Sequence, residues 1–377
     1  MTRTDRWCIR AVHLPNGGEP QELWVEGDVI VDGPLHGATV IEAPFVSPGL
    51  VDAHGHLSLP FQDCLGHRHN AQFVSGEQSV DPELVTVNLL RHLQVGITVV
   101  RDAGYARQRP LLDGALPARP QNIRSGWIVA PPQRYFPGSG IAQDTPQDEL
   151  DERVREAAAA DMTWFKVIAD FPGADLDLFA APLTYPIDVL AGAVDLAHRY
   201  GMRVMAHSTG PQVGDIVEAG VDSVEHGCSV TPELAALMGS RGVAWTPTLA
   251  TVEGHLAMLE SFGAPSDVAE RWRAGMRVSL AAAVAHRVPL LVGSDELPHG
   301  SLVEEAVVMH RLGVPADLVV ASATTTARTF LGLPALEPGA PADLVLFDAD
   351  PRRDMQALGR PRTVMALGAI VDAGGPE

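Results

Sequence analysis

A chain of 377 residues, 46% of them hydrophobic, is long enough for two or three domains, or for one large barrel with an accessory domain. Its net charge of −20 argues against nucleic acid and against anionic membranes as partners, because both are bound by clustered Lys and Arg. No apolar run has the length of a signal peptide or a membrane span, and the three scattered cysteines lack CxxC spacing, which predicts a protein of the reducing cytoplasm.

Both ends of the chain have the same texture. "RWCIRAVHLPNGGEPQELWVEGDVIVDG" near the start and "PADLVLFDADP" and "RTVMALGAIVDAG" near the end consist of short alternating segments separated by Gly, Pro and Asn. This pattern is typical of antiparallel strands joined by turns. Neither end is long enough to bury a core alone. We therefore expect residues 1–46 and 340–377 to pair into one composite β-sandwich domain.

Strand-like and helix-like segments alternate between the two ends, in residues 47–339. Helical patterns such as "PELVTVNLLRHLQVG" and "PIDVLAGAVDLAHRYG" follow most of the apolar strand segments. Eight such units over about 250 residues predict an α/β fold of the (β/α)8 TIM-barrel type. A doubly wound open sheet is the alternative, and the lack of a Gly-rich phosphate turn after an early strand disfavours it. The expected strands are 49–54, 97–103, 125–130, 164–169, 203–207, 223–227, 243–248 and 289–295.

The predicted strands end in residues that bind metals. In a barrel the carboxyl ends of all strands meet at one mouth, which carries the active site. Imidazole suits zinc, and a carboxylate oxygen completes many such sites. Any single histidine at such a position is more often a structural core residue, but four histidines at three strand ends indicate a metal centre. The strand-end residues are His54, His56, Lys166, His207, His226 and Asp295.

Asp295 in "LLVGSDE" has two interpretations. An Asp at a strand-to-helix turn often caps the next helix, but the pattern "SLVEEA" places that helix later, near residue 300. A carboxylate beside a metal-activated water is able to ligate the metal and to accept a proton. We therefore predict that Asp295 is both a ligand and the catalytic proton acceptor.

Lys166 in "TWFKVIAD" is the only lysine of the chain, and the other 26 Lys or Arg positions are all arginine. Lysine differs from arginine in that its amine is able to lose a proton and to add carbon dioxide, giving an anionic carbamate with two oxygen ligands. The alternatives are a buried ion pair with Asp102 or Asp170, or a Schiff-base lysine. Ion pairing alone would permit arginine, so we favour the carbamate.

Together these motifs resemble the amidohydrolase superfamily over essentially the whole chain. The motifs are "PGLVDAHGH", "GITVVRDAG", "FKVIA", "VMAHSTG", "GVDSVEHG", "TPTL", "GSD" and "PGAPADLVLFDADP". In detail the chain is similar to the imidazolonepropionase-like and prolidase-like branch, which includes cytoplasmic enzymes that cleave Xaa-Pro, Xaa-Arg and other N-acyl amino acids. The resemblance implies two Zn²⁺ ions bridged by carbamylated Lys166 and a hydroxide. It assigns His54, His56 and Asp295 to one ion and His207 and His226 to the other.

Other positions depart from that branch or are assigned only outer roles. Thr209 stands where relatives carry an aromatic residue, and the loop "APPQRYFPGSG" replaces "TPTGGHG". We expect Asp102 to orient ligands through hydrogen bonds. The histidines of "GHRHN", His67 and His69, are interpreted as rim or surface residues. Substrate contacts are predicted for Arg134, Tyr135, Thr209 and His299.

The predicted function is metal-dependent hydrolysis of an amide bond in a small substrate, such as a dipeptide or an N-acyl amino acid. Opening of a cyclic amide is a close alternative. A mononuclear deaminase of the same superfamily is disfavoured by Lys166 and by "HSTG", and a non-catalytic metal-binding scaffold by the presence of the full ligand set. The sequence does not identify the substrate, and it leaves the oligomeric state open, a homo-oligomer included.

Overall fold

A computed structural model describes residues 5–58, 82–104, 120–136, 141–173, 177–263, 265, 267–295 and 297–371. Among them, the strands are β1 (Arg6–His13), β2 (Gln21–Glu26), β3 (Val29–Val31), β4 (Thr39–Pro48), β5 (Leu50–Gly55), β6 (Ile97–Asp102), β7 (Gln121–Arg124), β8 (Ile128–Ala130), β9 (Gln143–Asp144), β10 (Trp164–Ile168), β11 (Arg203–Ser208), β12 (Ser223–His226), β13 (Ala244–Thr246), β14 (Leu344–Phe347), β15 (Thr363–Ala366) and β16 (Ala369–Val371). The α-helices are α1 (Pro82–Gln94), α2 (Leu150–Ala159), α3 (Ile187–Arg199), α4 (Val213–Glu218), α5 (Pro232–Arg241), α6 (Leu249–Ser261), α7 (Asp267–Ala285), α8 (Leu302–Arg311), α9 (Ala316–Ser322) and α10 (Thr325–Leu331).

Strands from both ends of the chain form one sheet. Its order is β16-β15-β14-β4-β1-β2-β3, in which β4 pairs in parallel with β1 and antiparallel with β14. The buried face of this sheet carries an apolar cluster that includes Ile9, Val25, Val46, Leu344 and Met365. The described strands here form a single sheet, so the second sheet of the predicted sandwich is not seen among them.

The central segment forms a six-stranded sheet, β13-β12-β11-β10-β8-β9, and a three-stranded sheet, β5-β6-β7. All pairs in both sheets are parallel, as expected for βα units. Of the predicted third strand, residues 125–130, only β8 is a strand, and it pairs with β10. The strand that pairs with β6 is β7, which precedes the predicted range. The two sheets are not closed into one eight-stranded ring by the assigned strands. The structure thus shows the α/β part of the prediction and not the full barrel.

The expected eighth strand, residues 289–295, is not assigned as a strand. It forms only isolated parallel bridges, at Leu290 and Asp295. Its backbone nevertheless bonds to both parallel sheets: Leu291 N donates to Trp245 O at 2.9 Å, and Asp295 N donates to His54 O at 2.6 Å. Asp295 is the last residue of the predicted strand, but its backbone is left-handed, with φ of 51°, so the extended conformation ends before it.

Helices follow most central strands and cover them with apolar side chains. Helix α5 shows the local rules: the Thr231 side chain accepts a hydrogen bond from Leu234 N, a proline occupies the first turn, and Gly242 ends the helix with φ of 69°. Because the strands of each central sheet are parallel, their carboxyl ends lie at one edge.

No helix in the described part of the chain is long and apolar enough to cross a membrane.

The two chain ends also meet through their hairpin turns. Gly368 lies between β15 and β16 with φ of 75°, and its N–H donates to Ala342 O at 3.0 Å. A Cβ atom on Gly368 would overlap the carbonyl oxygen of Gly27, in the turn between β2 and β3. This close approach requires glycine.

We expect Gly368→Ala to destabilise the fold by about 2–5 kcal/mol, since it adds a backbone overlap to the cost of a left-handed alanine. The matched control is Gly242→Ala. Gly242 has a similar φ of 69°, and a Cβ atom added there would meet no other atom within 4 Å, so only about 1–2 kcal/mol is expected. Thermal unfolding of both variants measures the difference. Equal losses would contradict the contact between the two hairpin turns.

Candidate metal centre

Six side chains predicted as ligands lie at the carboxyl ends of the central strands. His54 is on β5 and His56 follows it, Lys166 is on β10, and His207 is near the end of β11. His226 is the last residue of β12, and Asp295 bridges the backbone of Gly55. All six are buried, with 0–8% of their surface exposed. Burial of so many ionisable groups requires compensating partners.

His54, His56 and Asp295 form a compact group of three potential ligands. One ligand atom from each lies within 4.8 Å of the others. The Nε2 atoms of His54 and His56 are each 3.5 Å from Asp295 Oδ1. Two imidazoles and one carboxylate at this spacing match the donor set of a divalent metal such as zinc.

His207 and His226 lie beside this first group. Their ring centroids are 4.4 Å apart, and the His226 ring is 5.2 Å from the His54 ring. His226 Nδ1 is 3.8 Å from Asp295 Oδ2, so Asp295 faces both groups of histidines. The described residues therefore bring three imidazoles, those of His54, His56 and His226, around one carboxylate, and the fourth, His207, packs against His226.

Hydrogen bonds hold the rings of three of the histidines, and two of these bonds also fix the tautomer. Nδ1 of His54 donates to Glu225 Oε2 at 2.5 Å, and Nδ1 of His56 donates to Gly104 O at 3.0 Å. His226 Nδ1 bonds to Thr248 Oγ1 at 2.6 Å. The bonds to Glu225 and to Gly104 O leave Nε2 of His54 and of His56 available as metal ligands, which is the usual arrangement of metal-binding histidine.

Buried imidazole nitrogens without partners support a metal at this place. Among the described residues, Nε2 of His54 and Nε2 of His207 are fully buried and have no hydrogen-bond partner. Burial lowers the pKa of both histidines well below the usual value, and lowers the pKa of His226 to about 4. Neutral imidazole is the form that ligates metals. The donor set thus fits one or two divalent ions.

Lys166 is 1% exposed and makes no ion pair or hydrogen bond with any residue that the structure describes. Burial lowers the pKa of its amine to about 8. Asp170, one of its alternative partners, instead accepts hydrogen bonds from the Ser208 hydroxyl and from the N–H groups of Thr209 and Gly210. A buried, unpaired lysine is costly unless its charge is removed or balanced.

Asp295 does not cap a helix. Helix α8 begins at Leu302, and its N-cap is Ser301. Burial alone would raise the pKa of Asp295, but the hydrogen bond with His56 and the nearby imidazoles hold that pKa below its usual range. The carboxylate is therefore available as a ligand.

The family is identified on this geometry and on the whole sequence. The amidohydrolase family profile matches residues 45–371. The chain belongs to the amidohydrolase family. Uncharacterized proteins of Mycobacterium tuberculosis and Mycobacterium bovis are 31% identical to this amidohydrolase over 376 residues, which is 97% of this chain and 96% of theirs.

Solved structures of enzymes share the amidohydrolase fold. A prolidase complexed with N-methylphosphonate-L-proline superimposes with a TM-score of 0.77 at 23% identity, covering 97% of this chain and 99% of that one. A Xaa-Pro dipeptidase with bound methionine gives 0.77 at 21% identity, with 97% and 100% coverage. The ochratoxinase of A. niger gives 0.77 at 20% identity, with 98% and 96% coverage. These likenesses establish the fold of the whole chain.

Sequence reasoning missed the buried pair Glu225 and Arg101. Glu225 accepts from His54 Nδ1 and also from the Arg101 guanidinium, at 2.9 and 3.1 Å. Arg101 further donates to Ala53 O and to Thr246 Oγ1. The only sequence signal was a charged residue inside each of two apolar strands, "ITVVRDA" and "SVEHG".

A second missed carboxylate, Asp52, organises the backbone around the ligands. It is fully buried, and burial raises its pKa. It accepts from His54 N at 3.1 Å, and from the N–H and hydroxyl of Ser294 at 3.0 and 2.5 Å. Asp52 thereby links the backbone of the potential ligand His54 to that of Ser294, the residue before the potential ligand Asp295.

The predicted outer residues occupy varied positions. Asp102 Oδ1 accepts from Gly104 N at 3.1 Å, so it supports the turn that binds His56, and burial raises its pKa to about 6. Thr209 is buried and bonded to Asp170. His299 bonds to His92, at 3.2 Å between ring nitrogens. Arg134 and Tyr135 are half-buried on the turn after β8. His67 and His69 lie outside the described residues.

We expect Glu225→Gln to weaken zinc binding by about 10- to 100-fold, because His54 loses the charged acceptor that orients its ring and raises its basicity. Competition with a chromophoric chelator measures the affinity. Glu260→Gln, an exposed change on α6, is the matched control and should have no effect. Unchanged zinc affinity in Glu225→Gln would contradict a positioning role for Glu225.

Proposed function

We propose that this amidohydrolase cleaves an amide bond in a small substrate, such as a dipeptide or an N-acyl amino acid, with the help of two zinc ions. The observation that carries the proposal is a cluster of four buried, mostly neutral imidazoles, three of them around Asp295 and the fourth packed on His226, together with the buried, unpaired Lys166. Core histidines would normally satisfy both ring nitrogens inside the protein, and the orphaned Nε2 atoms of His54 and His207 do not.

The donor set divides into two groups. His54, His56 and Asp295 would hold one ion, and His207 and His226 the other, with modified Lys166 between them. When bound, such ions supply Lewis-acid polarisation of a carbonyl and lower the pKa of water. Nitrogen and carboxylate ligands favour zinc among the common divalent ions.

Asp295 carries the proton in this proposal. One carboxylate oxygen would accept a proton from the attacking water, and the same group would return it to the leaving nitrogen. The backbone of Asp295 is left-handed, and its N–H donates to His54 O at 2.6 Å. Both features hold the carboxylate in place. Glu225 and Gly104 O meanwhile keep His54 and His56 in the tautomer with a free Nε2, and the Thr248 hydroxyl holds the His226 ring.

Lys166 completes the site as a carbamate. Its neutral amine would form an N–C bond to carbon dioxide and release one proton, which leaves an anion with two oxygen ligands. This modification removes the cost of an unpaired ammonium in a buried position. A permanently charged guanidinium has no such route, which accounts for the single lysine in an arginine-rich chain.

The finer architecture follows the same reasoning. We infer that residues 47–339 close into a (β/α)8 barrel, supported by the bonds of residues 289–295 to β5 and β13. Residues 1–46 and 340–377 would form the composite β domain. We further propose a cytoplasmic enzyme, with Arg134, Tyr135, Thr209 and His299 around the substrate.

We expect Lys166→Ala to lose zinc and amide hydrolysis, because the anion between the two ligand groups is missing. A short-chain carboxylic acid such as propionate should restore part of both, whereas Lys166→Arg should not be rescued. Metal content after dialysis and turnover with and without propionate measure this. Intact-mass analysis of the unchanged protein should show one added carbon dioxide. Full zinc content and activity in Lys166→Ala would overturn the carbamate.

Metal content separates the binuclear hydrolase from a mononuclear deaminase. We expect about two zinc ions per chain in the active protein. A panel of dipeptides, N-acyl amino acids, hydantoins and lactones should include at least one amide that is hydrolysed. About one zinc per chain, with ammonia released from an aminated heterocycle and no amide cleaved, would instead establish the deaminase.

A further inference from the structure

Three aromatic side chains form a cluster beside the candidate ligand His207, and two of them lie against its ring. Tyr135, Phe136 and Phe171 form a cluster with ring centroids 4.7–5.1 Å apart, here named the aromatic wall. The rings of Tyr135 and Phe171 are 5.8 and 5.7 Å from the His207 ring. The wall therefore starts at the candidate metal centre.

The wall is built by loops at the carboxyl ends of two neighbouring strands. Tyr135 and Phe136 belong to the turn after β8, and Phe171 follows β10 by three residues. Buried Ile128, Ile141 and Ile168 support it from below, as part of the same apolar cluster. It consequently faces the edge where the candidate ligands meet, the edge at which barrel enzymes bind substrate.

Phe136 is placed in a way that core packing does not require. Its φ is 42°, a left-handed conformation that is strained for a bulky residue, and 38% of its surface is exposed. Phe171, at the inner end of the wall, is only 8% exposed. Strained backbone that presents a large apolar side chain beside a site is typical of ligand contacts.

We propose that the aromatic wall binds an aromatic or large branched apolar group of the substrate, on one side of the scissile amide. The inference rests on the proposed amide hydrolysis and narrows its substrate class. Edge-to-face contacts with Tyr135 and Phe136 would orient a ring, and removal of its apolar surface from water would supply affinity.

Charge favours an apolar group over the alternatives. Aromatic faces also attract cations, but Arg134 places a positive charge on the same turn. Asp170, the carboxylate next to Phe171 in the sequence, already accepts from Ser208, Thr209 and Gly210, so it is not directed at a substrate cation. An uncharged ring or branched chain is the group that these surroundings fit.

Binding of product-like probes tests the wall without relying on turnover. Zinc-loaded protein is titrated by calorimetry with 3-phenylpropionate against propionate, and with L-phenylalanine against L-alanine. We expect the ring-bearing member of at least one pair to bind about 10- to 100-fold more tightly. Phe136→Ala should reduce that ratio several-fold, and Phe136→Leu should reduce it less.

Phe262→Ala is the matched control, because Phe262 is 74% exposed just after α6 and away from the wall. It should leave the ratio unchanged. Equal affinity within both pairs, or the same ratio in wild type and Phe136→Ala, would overturn the aromatic wall as a binding site. Hydrolysis of 3-phenylpropionylglycine and N-acetyl-L-phenylalanine is measured separately. Ring preference without cleavage of any amide would uphold the wall and refute the proposed function.

Discussion

The site depends on the bonds that the buried Glu225 carboxylate makes to two other buried side chains. Glu225 binds the His54 imidazole and the Arg101 guanidinium, and Arg101 continues to Ala53 O on β5 and to the Thr246 hydroxyl on β13. These contacts run from the three-stranded sheet through the interior to the six-stranded sheet. Because each buried charge needs the other, relative movement of the two sheets would leave one unpaired at a cost of several kcal/mol. The same contacts that orient a candidate ligand thus join the sheets.

Backbone strain is concentrated at the same edge. His226, Thr248 and Asp295 all have positive φ, of 68°, 44° and 51°, although none is glycine. Such residues cost of order 1–3 kcal/mol each and persist only where surrounding contacts impose them. Trp245 Nε1 donates to His226 O, and buried Glu305 accepts from the two backbone N–H groups that follow Thr248. These contacts therefore hold the backbone of the three residues in place, which is what a preorganised site requires.

The sequence was most informative where chemistry follows strand periodicity. His54, His207 and His226 were predictable as neighbours because parallel strands bring their carboxyl ends to one edge, and the structure brings their rings within 4.4–5.2 Å along the series. Glu225 was not, because its partner Arg101 is 124 positions away and no periodicity says which strands face each other across the interior. Residues 289–295, the predicted eighth strand, bond to both β5 and β13 but form only isolated bridges instead of a regular ladder.

The candidate metal ligands and the proposed substrate contacts lie in different kinds of structure, the ligands on strands and the aromatic wall on turns. The candidate ligands lie on strands or directly after them, and buried partners such as Glu225 and Asp52 also serve the sheets, so replacing them disturbs the fold. The aromatic wall is supported from the strands but carried by the turns beyond them, and its outermost ring is partly exposed. Side chains in turns can be substituted without altering the pairing of the strands. In the proposed enzyme, the two turns that carry the wall would set which amides are accepted while the ligand set stays constant, and they lie at positions where strand periodicity gives no prediction.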